Sequence, residues 1–345
     1  MKSPYELSRG ELAALVPGQP DYRVDQIWRG LWDEALAIEE ITTIPKALRA
    51  DLATSIGSSL TRIEDVTSDQ GATRRWVFAL GDGATIETVL MAYADRVTVC
   101  VSTQAGCAMA CSFCATGQAG FTRQLTLGEV LDQVMAAVRA AAPRRVSNVV
   151  FMGMGEPLAN YPVTVGALRA LHEHRGLSAR HLTVSTVGVA PAIERLAGEG
   201  LAVTLAVSLH AANDELRSEI VPINRRYPLA RLARACETWV HATGRRLSFE
   251  WALIEDVNDT DRAAHELAAY ATPLRAHVNV IPLNPTPGYL ARGPSPERVR
   301  AFCDLVASLG VNVTVRNTRG RSIDAACGQL ARVTAGRRRS IPVRS

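Results

Sequence analysis

"TQAGCAMACSFCATGQAGF", residues 103–121, sets Cys107, Cys111 and Cys114 within eight positions, in a C-x3-C-x2-C spacing. A structural zinc site normally closes with four protein ligands, and no fourth cysteine or histidine follows nearby. Three thiolates suit a centre that keeps one position open. The stretch contains glycines and directly follows an apolar, β-branched run, RVTVCVS at 96–102, so it reads as a loop at the C-terminal end of a strand.

Similar runs recur downstream: NVVFMGM (148–154), HLTVSTV (181–187), VTLAVSL (203–209), LSFEWALI (247–254) and HVNVIPL (277–283), with VNVTVRN (311–317) after them. Helical patterns separate them. After the cysteines, for example, Thr126 and Glu129 form a capping box, and Leu127, Val130, Leu131, Val134 and Val138 share one face. Six strands alternating with helices predict an α/β fold with a parallel sheet or barrel, its site at the strands' C-terminal ends. Upstream, residues 1–55 read as a small helical module. Residues 56–92 read as a β-rich link (RRWVFAL, TIETVLMAY) broken by Gly81-Asp82-Gly83, and 93–345 as the core with a basic tail.

Hydrophobic residues make up 47% and charged residues 21%, which places the chain among globular proteins. No apolar run approaches the roughly 20 residues of a membrane span, and MKSPYELSRGEL lacks the apolar core of a signal peptide. A cytoplasmic protein without a membrane partner is expected. The net charge of +4 equals the four arginines of GRRRSIPVRS (336–345), leaving 34 basic against 34 acidic residues before it. Bulk charge therefore makes no case for nucleic acid, and any such contact must come from local patches.

Of seven cysteines, Cys236 and Cys303 fall on apolar helical faces and read as small core residues. The clustered three do not. Their spacing and position resemble the radical S-adenosylmethionine superfamily. That resemblance implies a [4Fe-4S] cluster held by Cys107, Cys111 and Cys114, with S-adenosylmethionine on the open iron and its sulfonium split to a 5'-deoxyadenosyl radical. GMGEP (153–157) is similar to the superfamily's motif for the cofactor's amino group, with Gly155 for close approach and Glu156 as acceptor. Taken singly, these are also a turn before Pro157.

Ser185, Ser208, Leu209, His210 and Asn284 end three further strands, where a lone polar residue is commonly a local cap. Together they resemble the cofactor-binding positions of the RlmN/Cfr family of RNA adenine methyltransferases. Cys100 in the first strand and Cys327 in AACGQL resemble that family's two catalytic cysteines, although either alone reads as core. Glu87 in IETVL matches its proton acceptor, although alone it reads as a surface carboxylate on a β ribbon. Further matches are TIETVLM, MGMGEPL, SLHAANDELR, IVPINRRYPL, PLNP, TRGRSIDAACGQL and the helical start, so the resemblance spans most of the chain. It implies a partial parallel (βα)6 barrel with a small helical N-terminal accessory domain.

The implied chemistry answers a substrate problem. Adenine C2 lies between two ring nitrogens and is too electron-poor to attack a sulfonium methyl, whereas a thiolate can. One S-adenosylmethionine would methylate Cys327, and a second would supply the radical that activates this methyl for addition to the ring. Cys100 would then attack the Cys327 sulfur and free the base through a transient disulfide. The expected partners are 23S rRNA, at an adenosine near the peptidyl-transferase centre, tRNA beside the anticodon, and an external one-electron donor such as flavodoxin or ferredoxin. C8 methylation of the same ribosomal adenosine is the nearest alternative. A noncatalytic RNA-binding protein stabilised by a structural metal is the other.

For RNA contacts, RVDQIWRGLW (23–32) offers Arg and Trp, with a core helix as the alternative. Arg316, Arg319 and Arg321 form a prospective basic rim near Cys327, and Asn224-Arg225-Arg226 is a second prospective phosphate site.

Overall fold

The computed structural model describes residues 2–316 and 320–330. The tail and Arg319 lie outside these residues, as does the side chain of Arg321. One ten-stranded sheet organises the chain. Its strands are β1 (Thr61–Ser68), β2 (Thr73–Ala79), β3 (Thr85–Ala92), β4 (Val97–Cys100), β7 (Asn148–Phe151), β8 (Leu182–Thr186), β9 (Thr204–Ser208), β10 (Ser248–Leu253), β11 (His277–Pro282) and β12 (Val313–Val315), in that spatial order. A separate two-stranded sheet pairs β5 (Gln104–Gly106) with β6 (Phe121–Gln124).

From β4 to β12 every neighbouring pair in the large sheet is parallel. The intervening helices are α4 (Ala115–Ala119), α5 (Leu127–Ala141), α6 (Tyr161–Glu173), α7 (Ala190–Ala197), α8 (Asp214–Ile220), α9 (Leu229–Thr243), α10 (Asp261–Ala271) and α11 (Pro296–Ser308). All six strand runs read from the sequence form strands, and β12 adds a seventh parallel one. This is the expected α/β partial barrel. The β-rich link is β1–β3, which continues the same sheet as an antiparallel extension.

The helical start, α1 (Arg9–Ala14), α2 (Asp21–Trp32) and α3 (Lys46–Ser55), packs into the same core as the barrel. Ile27, Leu31 and Trp32 are buried. Trp28 and Trp32 meet the His174 ring edge-on at 5.0 and 5.2 Å, and Arg175 donates to the carbonyls of Trp32 and Asp33. The core alternative is therefore the one realised for Trp28, Leu31 and Trp32; Arg29 stays exposed.

Helix α5 departs from the one-faced reading. Its capping box forms as expected, but the helix is buried on both sides because the chain's first residues lie across its outer face. Glu6 accepts from Gly128 N at 2.7 Å, and a side chain at Gly128 would meet Ser3 at 2.3 Å. Asp132 accepts from Ser3 Oγ and from the N–H and hydroxyl of Ser59. Burial pushes the Asp132 carboxyl up to about 6 in spite of these donors.

Candidate active site

The three cysteines stand on a loop whose base is cinched on all sides. Ser102, at the end of β4, exchanges both backbone groups with the Gln133 amide of α5. Its hydroxyl donates to the Glu87 carbonyl and accepts from Met154 N. Asn160 donates to the carbonyls of Thr103 and Leu125, closing the loop's two ends together. Gly106 has φ +76°, and a Cβ there would lie 2.0 Å from the Gly120 carbonyl oxygen, so the β5–β6 clamp needs glycine. Cys111 packs among Phe113, Ile220, Val221 and Leu283, and Ser112 N donates to the Ile220 carbonyl of α8.

GMGEP meets this loop at backbone distance. A Cβ on Gly153 would sit 2.7 Å from the Val101 carbonyl, and one on Gly155 would sit 2.6 Å from Gln104 Cβ. Glu156 is buried; one carboxylate oxygen accepts from Leu158 N at 2.9 Å and the other from Val187 N at 2.8 Å. Burial pushes its carboxyl up to about 7, against the pull of those donors. It thus ties the β7 loop to the β8 loop and stays at the cleft wall.

One cleft gathers most of the predicted residues. Cys107, Cys111, Cys114, Gly155, Glu156, Ser185, Ser208, His210, Asn284 and Cys327 all line it, around about 1010 Å³ of empty space counted to its mouth. His210 has φ +60° and is buried; its Nδ1 accepts from Ala252 N at 2.9 Å, and Phe113 packs edge-on at 4.8 Å. Burial, helped by Arg217, pushes its pKa down to about 3, so the ring is a neutral fixture of the wall. Asn284 donates to the Cys327 carbonyl at 3.1 Å.

Leu209 does not line the cleft. Its side chain is in the core, and its backbone joins Glu250 and Arg217. Cys100 lines a smaller adjoining cavity, sharing it with Cys327, Met152, Ile281 and Arg316. Burial pushes the Cys100 thiol up to about 12, Cys327 adding to the shift. Glu87 reaches neither wall. It is buried with Arg75 at 2.8 Å, on the β3 face that two and four residues later carries Val89 and Met91 of the smaller cavity.

Some residues sit differently from the sequence reading, and one at the site, Glu250, escaped it. Arg316, expected at an RNA rim, turns inward instead. It bridges both cavities, lies 3.2 Å from Glu250 and 3.6 Å from Met152 Sδ, and its charge is held above the usual arginine range by Cys327 and then Glu250. Glu250 sits opposite Ser208 in register, a carboxylate in the middle of an otherwise apolar strand. That was the signal available. Asn224, offered as a phosphate contact, is buried and binds Arg217 and Asp214, while Arg225 and Arg226 remain exposed. Finally, residues 320–330 cross the cleft from the β12 side. Gly320 N donates to Asp69 Oδ2, next to β2, and the far end meets α4, where Ala115 N donates to the Gly328 carbonyl and the Thr116 hydroxyl to the Leu330 carbonyl.

A model of the radical SAM superfamily matches residues 101–269. A probable dual-specificity RNA methyltransferase RlmN from Frankia alni is 49% identical, over 97% of this chain and 84% of that protein. The chain belongs to the RlmN family of radical SAM RNA methyltransferases. An RlmN relative from Streptomyces coelicolor is 46% identical over 94% of this chain and 91% of its own. A crystal structure of a radical SAM methyltransferase from Sphaerobacter thermophilus superposes with a TM-score of 0.92 at 49% identity, covering 96% of this chain and 99% of that one. The RlmN family is enzymatic, which sets aside the noncatalytic alternative.

Radical SAM chemistry brings a [4Fe-4S] cluster and S-adenosylmethionine, and the donor set fits. Three thiols line one cleft. Burial pushes Cys107 up to about 12 and Cys111 higher still, so both are neutral thiols until a metal displaces the proton. Among the described residues, no three His, Cys, Asp or Glu side chains close on a single metal ion. Among the same residues, no helix is long and apolar enough to cross a membrane.

Proposed function

We propose that this protein methylates C2 of adenosine in RNA through a methyl group carried on Cys327, with two S-adenosylmethionine molecules used per turnover. The observation that carries the reading is the shared lining of Cys327. It faces the cleft of the three clustered cysteines on one side and the cavity of Cys100 on the other. Cys107, Cys111 and Cys114 would hold the cluster, and Gly155, Glu156, Ser185, Ser208, His210 and Asn284 would hold S-adenosylmethionine, with Leu209 acting through its backbone. Bound there, the cluster and cofactor supply a methyl electrophile and a carbon radical.

The protein's own part follows from burial. Cys327 is exposed, whereas Cys100 is a buried neutral thiol and a poor competitor for an electrophilic methyl. Cys327 therefore accepts the methyl on its sulfur and carries the carbon to the base. Burial and then Cys327 raise the Cys100 thiol, and Arg316, which lines both cavities, pulls it partway back toward thiolate. Once the base is attached, Cys100 attacks the Cys327 sulfur. A sulfur–sulfur bond forms as the sulfur–carbon bond breaks, and external reductant later restores both thiols. Glu87 is the proposed acceptor of the ring proton, ion-paired to Arg75 on the face of β3 that lines the smaller cavity.

The proposed substrates are 23S rRNA and tRNA, as the family resemblance implies; the relatives are named dual-specificity RNA methyltransferases. A flavodoxin- or ferredoxin-type donor would supply the electron, in the cytoplasm. The adenosine must be turned out of its stack to reach the cleft.

Anaerobic reconstitution, followed by chromatography and mass spectrometry of nucleosides from treated RNA, tests the regiochemistry. 2-Methyladenosine is expected; 8-methyladenosine would replace this reading with C8 chemistry. Cys100→Ala should accumulate protein covalently joined to RNA, and multiple turnovers by that variant would reject its assigned role. Cys327→Ala should abolish methylation yet keep its iron and sulfide.

A further inference from the structure

Arg217, in α8, is completely buried. Its guanidinium donates to the carbonyls of Leu209 (3.0 Å), Val187 (2.7 Å) and Ser208 (3.2 Å), and to Asn224 Oδ1 (2.8 Å). Every acceptor is neutral. No carboxylate among the described residues lies within ion-pair distance of it, and the nearby Asp214 carboxylate is taken up by Asn224 and Leu229 N. A buried charge with no counter-charge is expensive to keep. If carbonyl anchoring were its whole purpose, a neutral donor would do it at lower cost.

The missing anion is one turn of helix away. Ile220 of α8 packs on Cys111, and its carbonyl accepts from Ser112 N. Val187 and Ser208, whose carbonyls Arg217 holds, line the same cleft as Cys111. Three thiolates outweigh the positive charge of an oxidised [4Fe-4S] core, so the loaded site is anionic, and one-electron reduction adds a further negative charge.

We propose that Arg217 is the buried counter-charge of the cluster held by Cys107, Cys111 and Cys114, and that it raises the cluster's reduction potential. A fixed cation favours the more negative state, and net charge around the sulfurs is one of the terms that set such potentials. Arg217 is a positioning residue as well, since its fork ties the ends of β8 and β9 that carry Ser185 and Ser208. The inference rests on the cysteine assignment proposed above.

The test separates charge from fork. Wild type, Arg217→Met and Arg217→Lys are reconstituted anaerobically, assayed for iron and sulfide, and titrated with electrons while the reduced cluster is followed by electron paramagnetic resonance. At a fixed solution potential, Arg217→Met should lower the reduced-to-oxidised ratio about tenfold, a shift of about 59 mV for one electron. Arg217→Lys, which keeps the charge and loses the fork, should stay near wild type in potential while binding S-adenosylmethionine more weakly. Loading of Lys but not Met would equally support a need for charge. Equal potentials in all three, equal shifts in Lys and Met, or loss of the cluster from both, would overturn the inference. If wild type itself assembles no cluster, the cysteine assignment fails instead.

Discussion

His210 shows how a polar residue at the cleft can be a fixture rather than a titrating catalyst. Its Nδ1 is occupied by Ala252 N, and burial holds the ring neutral, with a pKa of about 3. The sign follows from that depression. Above the ordinary histidine value of about 6.5 the ring is neutral in folded and unfolded chains alike, and its contribution to stability is complete. As pH falls from there toward 3, the unfolded chain takes up a proton that the fold refuses, costing up to about 1.4 kcal/mol per pH unit. His210→Gln keeps an acceptor without a titrating ring. Urea unfolding across this window should show wild type losing stability more steeply than the variant on acidification; parallel profiles would contradict the account. At this scale the sequence was legible where chemistry clusters locally. The three cysteines stand out by their spacing, and GMGEP by its likeness to the superfamily's motif. Arg217, Arg316 and Glu250 could not, because their partners come from strands and loops scattered along the chain and only tertiary packing brings them together.

Among elements, the parallel strands were readable because each is a run rich in β-branched or aromatic residues between helical patterns, and their pairing then follows chain order. The β5–β6 clamp was not, since QAG and FTRQ lack the β-branched apolar run that marks the equally short β4, β7 and β12. Nor was the double-sided burial of α5. Periodicity reports the face that meets the sheet, but not that residues 3–6 cover the other. The join between β4 and β7 makes a sharp demand. Gly153→Ala would put a methyl 2.7 Å from the Val101 carbonyl and 2.8 Å from Ser102 N, both backbone and unable to yield locally. The β7 loop must retreat and take Glu156 with it. A loss of about 1–3 kcal/mol in unfolding free energy is expected, with reduced binding of S-adenosylmethionine by calorimetry. Wild-type values for both would show that the join is looser than described.

For the whole molecule, the helical start, the antiparallel extension and the barrel share one apolar core. Trp32 meets His174 edge-on, Glu6 ties to Gly128, and Asp132 gathers Ser3 and Ser59. Residues 1–55 are therefore expected to unfold with the barrel. Calorimetry should give one endotherm for the full chain, and deletion of residues 1–55 should lower its midpoint by uncovering α5 and α6. Two separated endotherms in the full chain would mean that the start folds on its own.

The crossing formed by residues 320–330 has a mechanical consequence. Cys327 hangs between two moorings, Asp69 at one side and α4 at the other, so in the proposed chemistry any tug from attached RNA is spread across the sheet. The tethered sulfur has only a short leash, which holds it at the cavity it shares with Cys100 when the cargo has to be let go.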